Sequence, residues 1–400
     1  MSLFINDTDF GKKFTKIRDN LKLKGYGGNA QVHPDLIPFP DRTGEVLMVY
    51  TPEDPSYFED MCLVRSNLND MVEWSDDLWQ NPVIKREDGI PWKNAHLADF
   101  CLLYVPELQQ KWWTWYQPAG DMGCVIAVGT SQDGITWTDD YPQNPVLKDA
   151  RASDSEFWYN RSPSVLWNRN TYKFEMFYDN IRPDWGAPQR LKRAESIDGF
   201  TWTNREIIYD PAEYGLTDNA FHPVVRYFDG HYWCWFPMTS GLYFMFSKTG
   251  LKGEWSTPVK VIDNTEHEVS QTCAPYRVGA LIDDSYKLHM MVSHYDPVST
   301  FKIDYWTSEL SAIGKQQLKE QNYRVNDFDM GGSIIGGVLP LKINTPTGIE
   351  TLSTLQVESS PMTVYLQGRK RGLKLVESDD VNASSIKVFV EGSIKNISKE

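Results

Sequence analysis

The chain has 400 residues, of which 13% are aromatic, and carries a formal net charge of −14. This acidic balance argues against a protein that binds nucleic acid, because such proteins concentrate Lys and Arg on one face. The first residues, MSLFINDTDFGKKF, lack the apolar centre of a signal peptide, and no run of about eighteen apolar residues occurs. Synthesis in a cytoplasm, without membrane insertion, is therefore expected.

Aromatic and acidic residues together are compatible with uncharged sugar ligands, since the CH faces of sugars stack on rings and carboxylates accept hydrogen bonds from hydroxyls. Acidity can also serve solubility alone. The five cysteines are scattered and form no C-x-x-C pair. We expect buried, reduced thiols rather than disulfides or metal ligands.

The predicted elements begin with an N-terminal segment, residues 1–29. Phe10, Phe14, Ile17 and Leu21 recur there at helical spacing. This spacing predicts a short N-terminal amphipathic helix, which either packs under the following domain or docks to a partner.

A phrase that occurs twice marks the next region. Residues 74–84 read WSDDLWQNPVI and residues 137–147 read WTDDYPQNPVL, with seven of eleven positions identical. Each phrase opens on a Trp, and a Trp preceded by turn residues recurs at positions 74, 137, 202, 255 and 306. An Asp-Gly pair before two of these Trp residues predicts tight hairpin turns.

A second recurring element lies ahead of each Trp. It is a short apolar segment, opened by Pro in most copies: HPDLIPF at 33, ADFCLLY at 98, SPSVLWN at 162, HPVVRYF at 222 and APYRVGA at 274. Further β-branched or aromatic runs follow each copy. Five such sets predict an all-β fold, a five-bladed β-propeller over residues 30–325, with a β-sandwich as the alternative.

The composition changes after the last Trp, at position 306. The stretch MGGSIIGG at 330–337 predicts a hinge, and several later runs have the pattern of strands. Residues 326–400 are therefore predicted to form a hinge and a small C-terminal β-domain, which folds alone or completes its core on another chain.

Ligand groups in a propeller are expected where the innermost strand of each blade begins. Superposing the five segments on their Pro or its equivalent puts Asp35, Asp99, Ser164, Val224 and Tyr276 in one ring. Two carboxylates are the minimum for glycoside hydrolysis, one as acid and one as base or nucleophile. Asp35 and Asp99 could take these roles, or each could cap its own strand.

The order of the five blades, with VHPDLIPF opening the first, resembles the propeller of arabinanase- and β-xylosidase-type glycosidases. The resemblance implies that Asp35 matches the general base. It also implies that two carboxylates are missing, because Ser164 stands in the place of a second Asp and Phe221 in the place of the acidic Glu. Asp154 and Glu156, ahead of the third inner strand, are the candidate replacements.

Similar propellers serve as receptor-binding modules in tail proteins of phages, where they recognise cell-wall glycopolymers. The resemblance therefore implies carbohydrate binding without cleavage in a virion tail, with other tail proteins as partners and a homotrimer as the expected assembly. Two alternatives stay open. One is an active glycosidase that uses Asp35 with Asp99 or Glu156, and the other is a purely structural virion component.

The predicted ligand-binding residues share a position near the funnel that the inner strands enclose: Asp35, Asp99, Asp154, Trp158, Tyr159, Arg161, Trp185, Phe221 and His222. His33, His222 and His294 would either hold a cation near the axis or pack at strand ends. Since no metal-ligand spacing links these histidines, no metal or other cofactor is predicted.

Overall fold

A computed structural model gives the fold of the chain. It describes residues 9–24, 30–40, 42–53, 59–148, 159–181, 188–228, 230–264, 275–283, 285–296 and 300–311, together with the strands found between residues 334 and 398. The chain divides into two compact units, one of Met1–Pro106 with Gln110–Ile335 and the other of Glu107–Gln109 with Gly336–Glu400.

Short strands build almost all of the first unit. In chain order they are β1 (Thr15–Arg18), β2 (Leu23–Lys24), β3 (Gln31–Pro38), β4 (Glu45–Pro52), β5 (Cys62–Asn67), β6 (Trp74–Ser75), β7 (His96–Tyr104), β8 (Trp112–Gly120), β9 (Gly123–Cys124), β10 (Ala127–Ser131), β11 (Trp137–Thr138), β12 (Tyr159–Asn168), β13 (Lys173–Ile181), β14 (Arg190–Ser196), β15 (Thr203–Tyr209), β16 (Val224–Phe228), β17 (His231–Met238), β18 (Gly241–Ser247), β19 (Val259–Asp263), β20 (Pro275–Ile282), β21 (Lys287–Asp296), β22 (Thr300–Glu309) and β23 (Ile334–Ile335). A short 3₁₀ helix, Pro211–Tyr214, precedes β16.

The strands form five sheets, which are the blades of a propeller. Their orders are β2-β6-β5-β4-β3, β11-β10-β8-β7 with β9 beside β8, β15-β14-β13-β12-β23, β16-β17-β18-β19 and β1-β22-β21-β20. We call β3, β7, β12, β16 and β20 the inner strands, and each contacts the inner strands of both neighbouring blades. The ring of β3, β7, β12, β16 and β20 is therefore closed, and the predicted five-bladed β-propeller and all-β fold are confirmed.

The N-terminal segment closes the last blade. Thr15 pairs with Thr307 of β22, and Phe10 is buried with its ring centroid 5.6 Å from that of Trp233. The predicted amphipathic helix is wrong here, because Thr15–Arg18 is a strand. The exposed edge of β22 offers backbone groups for pairing, and this gain outweighs the helical spacing of the apolar residues.

The doubled phrase has one structural role in two blades. Asn81 accepts from the backbone N–H of Leu63 at 2.9 Å and donates to its carbonyl at 2.9 Å. Asn144 makes the same two bonds to Val128, at 2.9 and 2.8 Å. Each amide thus continues the hydrogen bonding of a strand, β5 or β10, whose neighbour β6 or β11 is only two residues long.

The apolar core lies between blades. One cluster joins the first two blades through Phe100 and Trp112, and another joins the third and fourth through Phe177 and Trp255. The inner strands are buried along almost their whole length, which explains their nearly continuous apolar sequences. Burial of these aromatic side chains supplies most of the stability of the propeller.

The second unit is a seven-stranded sheet in the order β25-β24-β30-β29-β28-β27-β26. Its strands are β24 (Leu341–Thr345), β25 (Gly348–Leu352), β26 (Leu355–Gln356), β27 (Thr363–Leu366), β28 (Arg369–Leu375), β29 (Ser385–Val390) and β30 (Ser393–Ser398). The C-terminal β-domain of the sequence analysis corresponds to this sheet, and most of the hinge predicted at 330–337 lies outside the described residues.

Two smaller expectations concern the thiols and membranes. Cys62, Cys101, Cys124 and Cys234 are free thiols, and all but Cys124 are buried, as predicted. Cys273 lies outside the described residues. Within the part of the chain that the structure describes, no helix has the length and apolar character needed to cross a membrane.

Candidate functional site

Four residues at or just before the starts of inner strands adopt a left-handed backbone conformation. His33, Asp99, Ser162 and His222 have φ of 56°, 57°, 52° and 46°. In β3, β7 and β12 the residue lies in a break of the pairing register, such as that between Val32 and Asp35. Positive φ is costly for these residue types, so packing around them must impose it. We call these four residues the first layer.

The residue two positions further along each strand forms a second layer, made of Asp35, Cys101 and Ser164. Each of these side chains accepts from a backbone N–H of the next inner strand, at 2.9 Å from Leu102, 3.1 Å from Val165 and 2.9 Å from Val225. The ring expected from the sequence therefore mixes two levels. Its error lies in the second blade, where Asp99 is equivalent to His33 rather than to Asp35.

Polar groups of the first layer converge on Asp99. Oδ2 of Asp99 accepts from the Ser162 hydroxyl at 2.7 Å. Its Oδ1 lies 3.0 Å from a terminal nitrogen of Arg277, 3.3 Å from Nδ1 of His222 and 3.4 Å from Nε2 of His33. All of these residues are buried, and Asp99 is only 1% exposed.

The charge of this cluster is divided unequally. Burial alone raises the pKa of Asp99, but the neighbouring His222, His33 and Arg277 outweigh burial and hold that pKa well below its usual range. Burial lowers the pKa of His33 to about 3, against the opposing attraction of Asp99. At neutral pH the cluster therefore holds an ionised carboxylate beside an uncharged His33.

Hydrogen bonds fix the orientation of both imidazoles. Nδ1 of His33 lies 2.8 Å from the hydroxyl of Thr51 on β4. Nδ1 of His222 lies 2.5 Å from Oγ of Ser162. One ligand atom each from His33, Asp99 and His222 lies within 4.8 Å of the others, a grouping that could hold a metal ion. His294 lies apart from this group and faces Asp304 at 3.6 Å.

Asp35 is held below this cluster by an ion pair. Oδ1 of Asp35 accepts from the guanidinium of Arg226, which also donates to the carbonyl of Ala280 at 2.8 Å. Asp35 is 1% exposed, and Oδ2 is bonded to the N–H of Leu102. Asp35, which the resemblance matches to a general base, thus links the first blade to the second through Leu102. Through Arg226 it also links the first blade to the fourth and fifth.

Partly exposed aromatic rings lie against the first layer. The ring of Tyr276 is 4.5 Å from His222 and 5.5 Å from His33, and Phe221 lies 6.1 Å from Tyr276. Phe221 and Tyr276 are neither buried nor fully exposed, unlike the polar residues beneath them. Among the described residues, these two rings are part of the accessible apolar surface of the site.

Arg161 and Tyr159 enter the same region from β12. Arg161 donates to Oδ2 of Asp179 at 2.8 Å and to Gln189 at 2.6 Å, and the other oxygen of Asp179 accepts from the N–H of His222 at 3.2 Å. Tyr159 covers Gly123, where an added Cβ would lie 2.7 Å from the ring. A glycine is therefore needed at position 123.

Sequence reasoning missed an acidic group in the segment between β4 and β5. Burial, with repulsion from Glu53 and Asp99, raises the pKa of Glu59 to about 8. Burial also raises the pKa of Glu53 to about 6. A carboxylate oxygen of Glu59 lies 3.9 Å from Nε2 of His96. The superposition of inner strands could not find Glu59, because this residue belongs to a connection between strands.

Some predicted site residues cannot be placed. Asp154, Glu156 and Trp158 fall in residues 149–158, and Trp185 falls in residues 182–187, both outside the described residues. Of the remaining predictions, the structure brings Asp99, Phe221 and His222 together. Arg161 meets them through Asp179, and Asp35 lies one layer away.

Comparisons with known proteins were made with the sequence and with the fold. No protein-family model matches the chain, and no curated protein matches it. An N-acetylgalactosamine deacetylase from F. plautii, in complex with blood group B trisaccharide, superposes with a TM-score of 0.54 and 16% identity over 78% of this chain and 100% of its own.

Glycoside hydrolases superpose similarly. A thermostable family-43 enzyme gives a TM-score of 0.52 with 12% identity, covering 71% of this chain and 92% of its own. A family 117 enzyme from the marine bacterium Zobellia galactanivorans gives 0.51 with 14% identity, covering 75% and 91%. The chain has a glycosidase-type five-bladed propeller fold. At such low identities, the similarity to these enzymes shows a shared fold and nothing about activity.

Proposed function

We propose that this propeller binds carbohydrate above the first layer, on the rings of Phe221 and Tyr276, and does not hydrolyse it with Asp35 and Asp99. One observation carries the proposal: each of the two carboxylates is 1% exposed and is paired with a buried arginine, Arg226 or Arg277. A catalytic carboxylate must reach the sugar or a water molecule. Both carboxylates are instead bonded within the protein.

Binding is supported by the surface above these pairs. Phe221 and Tyr276 present partly exposed rings, and the partly exposed Arg161 lies in the same region, with Nε and one terminal nitrogen bonded to Asp179 and Gln189. Rings that stack on a sugar face, together with a few oriented polar groups, are the usual elements of a carbohydrate site. The trisaccharide complex of the deacetylase is a sugar-bound structure on the same fold.

The ligand class that we propose is a cell-wall glycopolymer, and the setting is a phage tail. In this setting the chain is a receptor-binding protein of the virion, assembled as a homotrimer with other tail proteins. The support is the sequence resemblance to such tail modules and a fold shared with sugar-acting proteins.

The test measures binding and cleavage on one panel of polysaccharides and purified cell-wall polymers. Tyr276→Ala should weaken binding by about tenfold, because it removes a stacking face. Tyr172→Ala is the matched control, since Tyr172 is 62% exposed in the turn between β12 and β13, at the opposite ends of the strands. No release of reducing ends is expected.

Two results would overturn the proposal. Absence of binding to every glycan, with the protein folded, would favour a structural virion component. Release of reducing ends would show an active glycosidase instead, with its acid or base supplied from elsewhere, such as Glu156.

Glu59 supports a second candidate, a hydrolase that uses this residue as its proton donor. A pKa of about 8 keeps the carboxyl of Glu59 protonated at neutral pH, as a proton donor to a leaving group must be. This candidate requires that Glu59→Gln abolish reducing-end release and that wild-type release decline above about pH 8.

A further inference from the structure

We propose that His33, Asp99 and His222 bind a zinc-class transition-metal ion. The ligand atoms are Nε2 of His33, Oδ1 of Asp99 and Nδ1 of His222, which come from the first, second and fourth blades and lie within 4.8 Å of one another. This site goes beyond the proposed sugar binding and does not depend on it.

The distances within the cluster suit tetrahedral coordination. Oδ1 of Asp99 lies 3.4 Å from Nε2 of His33 and 3.3 Å from Nδ1 of His222. Ligand atoms at about 2.0–2.1 Å from a tetrahedral metal ion are about 3.3–3.4 Å apart. The two separations therefore match two edges of such a site.

An unsatisfied oxygen points to the same ligand. Oδ1 of Asp99 is buried and accepts no hydrogen bond from the described residues, whereas Oδ2 accepts from Ser162. A nitrogen of Arg277 lies 3.0 Å from this oxygen, so its charge is compensated but no hydrogen bond is made, and a metal ion would ligate the oxygen directly. This observation is independent of the spacing of the histidines.

The neighbours of the two imidazoles differ in how they fit metal binding. When Nδ1–H of His33 donates to Thr51, at 2.8 Å, the lone pair of Nε2 is left for a metal. For His222 the metal-binding form carries its proton on Nε2, and Nδ1 must exchange its 2.5 Å contact with Oγ of Ser162 for the metal. The Ser162 hydroxyl then keeps its hydrogen bond to Oδ2 of Asp99, so both carboxylate oxygens are engaged.

Arg277 is the group that opposes binding. One terminal nitrogen of its guanidinium lies 3.0 Å from Oδ1 of Asp99 without hydrogen-bond geometry, while the other donates to the carbonyls of Asp99 and Phe100 at 3.3 and 3.2 Å. Metal binding requires the first nitrogen to withdraw while the second stays bonded to the carbonyls. The positive charge of Arg277 therefore sets an upper limit on the affinity.

The donor set selects the class of metal. Two imidazole nitrogens with one carboxylate oxygen favour Zn²⁺ and its neighbours over Ca²⁺ and Mg²⁺, which prefer six or more oxygen ligands. Three protein ligands leave a fourth position for water or another small ligand.

The experiment uses the full chain after treatment with a chelator. Titration with Zn²⁺ followed by calorimetry should give one site per chain, and Co²⁺ should give the strong visible absorption of tetrahedral coordination. His33→Gln and His222→Gln should each weaken binding by at least about 100-fold. His294→Gln is the matched control. His294 is buried on β21 and lies outside the cluster, so this substitution should leave binding unchanged.

Two further variants test the neighbours of the ligands. Thr51→Val keeps the shape of the side chain but removes the partner of His33, and it should weaken binding by about 10- to 100-fold. Arg277→Met should strengthen binding, since it removes the opposing charge. Circular dichroism checks that each variant is folded, and an increase in the melting temperature of the wild-type chain on adding Zn²⁺ tests binding without any variant.

Some outcomes would overturn the proposal. Sub-stoichiometric binding, no visible Co²⁺ bands, or no thermal stabilisation of the wild-type chain would each do so. Equal Zn²⁺ affinity in His222→Gln and in His294→Gln would also do so, because binding would then reside on other histidines.

Discussion

The two layers of the inner strands lie two residues apart and differ in how their polar groups are satisfied. In the second layer, Asp35 has a hydrogen-bond partner on each oxygen, Arg226 and the N–H of Leu102. In the first layer, Asp99 is equally buried and also faces an arginine, but its Oδ1 accepts no hydrogen bond from the described residues. We infer that the second layer joins blades and that the first layer serves a ligand.

The largest expected effect concerns Asp35. Asp35→Ala leaves Arg226 buried without its counter-ion, so the free energy of unfolding should fall by about 3–5 kcal/mol. Asp77→Ala is the control, because Asp77 pairs with Arg65 at 2.7 Å but is about half exposed, and that loss should be below about 1 kcal/mol. Urea unfolding measures both. Equal losses would contradict a joining role for the second layer.

The second-largest effect concerns the pH dependence of stability, which Glu59 beside the first layer should produce. The pKa of Glu59 is raised to about 8, so the folded state binds a proton that the unfolded state releases near its usual value. Stability from this source is complete below about pH 4.5 and is lost as the pH rises towards 8. The expected loss is a few kcal/mol.

Thermal melts across this pH range check the sign. Glu59→Gln should flatten most of the decline, and Glu53→Gln should flatten a smaller part, since the pKa of Glu53 is raised only to about 6. Glu309→Gln, at an exposed side chain, should leave the decline as it is in the wild type. An unchanged decline in Glu59→Gln would show that this carboxyl is not held protonated.

Substitution of two serines of β12, one in each layer, compares the two layers directly. Ser164→Ala removes the acceptor of the Val225 N–H and should cost about 1–2 kcal/mol of stability, with ligand binding unchanged. Ser162→Ala removes the donor to Asp99 and should weaken binding of metal or sugar at the first layer. Urea unfolding and calorimetry on both variants provide the check. A binding defect in Ser164→Ala would erase the distinction between the layers.

The smallest expected effect concerns Cys101. Serine at this position would accept from the Val165 N–H as Ser164 accepts from Val225, so Cys101→Ser should change stability by less than about 1 kcal/mol. Cys234→Ser, in an apolar cluster, should cost about 1–3 kcal/mol because its hydroxyl is buried. Urea unfolding ranks the two. A larger loss in Cys101→Ser would show that the second layer requires sulfur.

The extent to which the site was predictable differs between blades. Where Pro marks the strand start, as at Pro34 and Pro163, superposition places the neighbouring residues at the level that the structure shows. In the second blade no Pro marks the break in the pairing register between Ala98 and Cys101. Superposition therefore puts Asp99 at the level of Asp35, one layer too deep. A period of two fixes the face of a strand, but an extra residue in a bulge shifts the face, and composition alone does not signal it.

The blades are specified by local sequence, because each repeats the same turns, apolar runs and Trp positions. The site, in contrast, forms only when the propeller is closed. Its members, from His33 to Arg277, are far apart in sequence and meet because five inner strands close a ring and left-handed residues redirect four side chains. Tertiary structure also decides that Thr15–Arg18 is a strand despite its helical spacing, because it pairs with the exposed edge of β22.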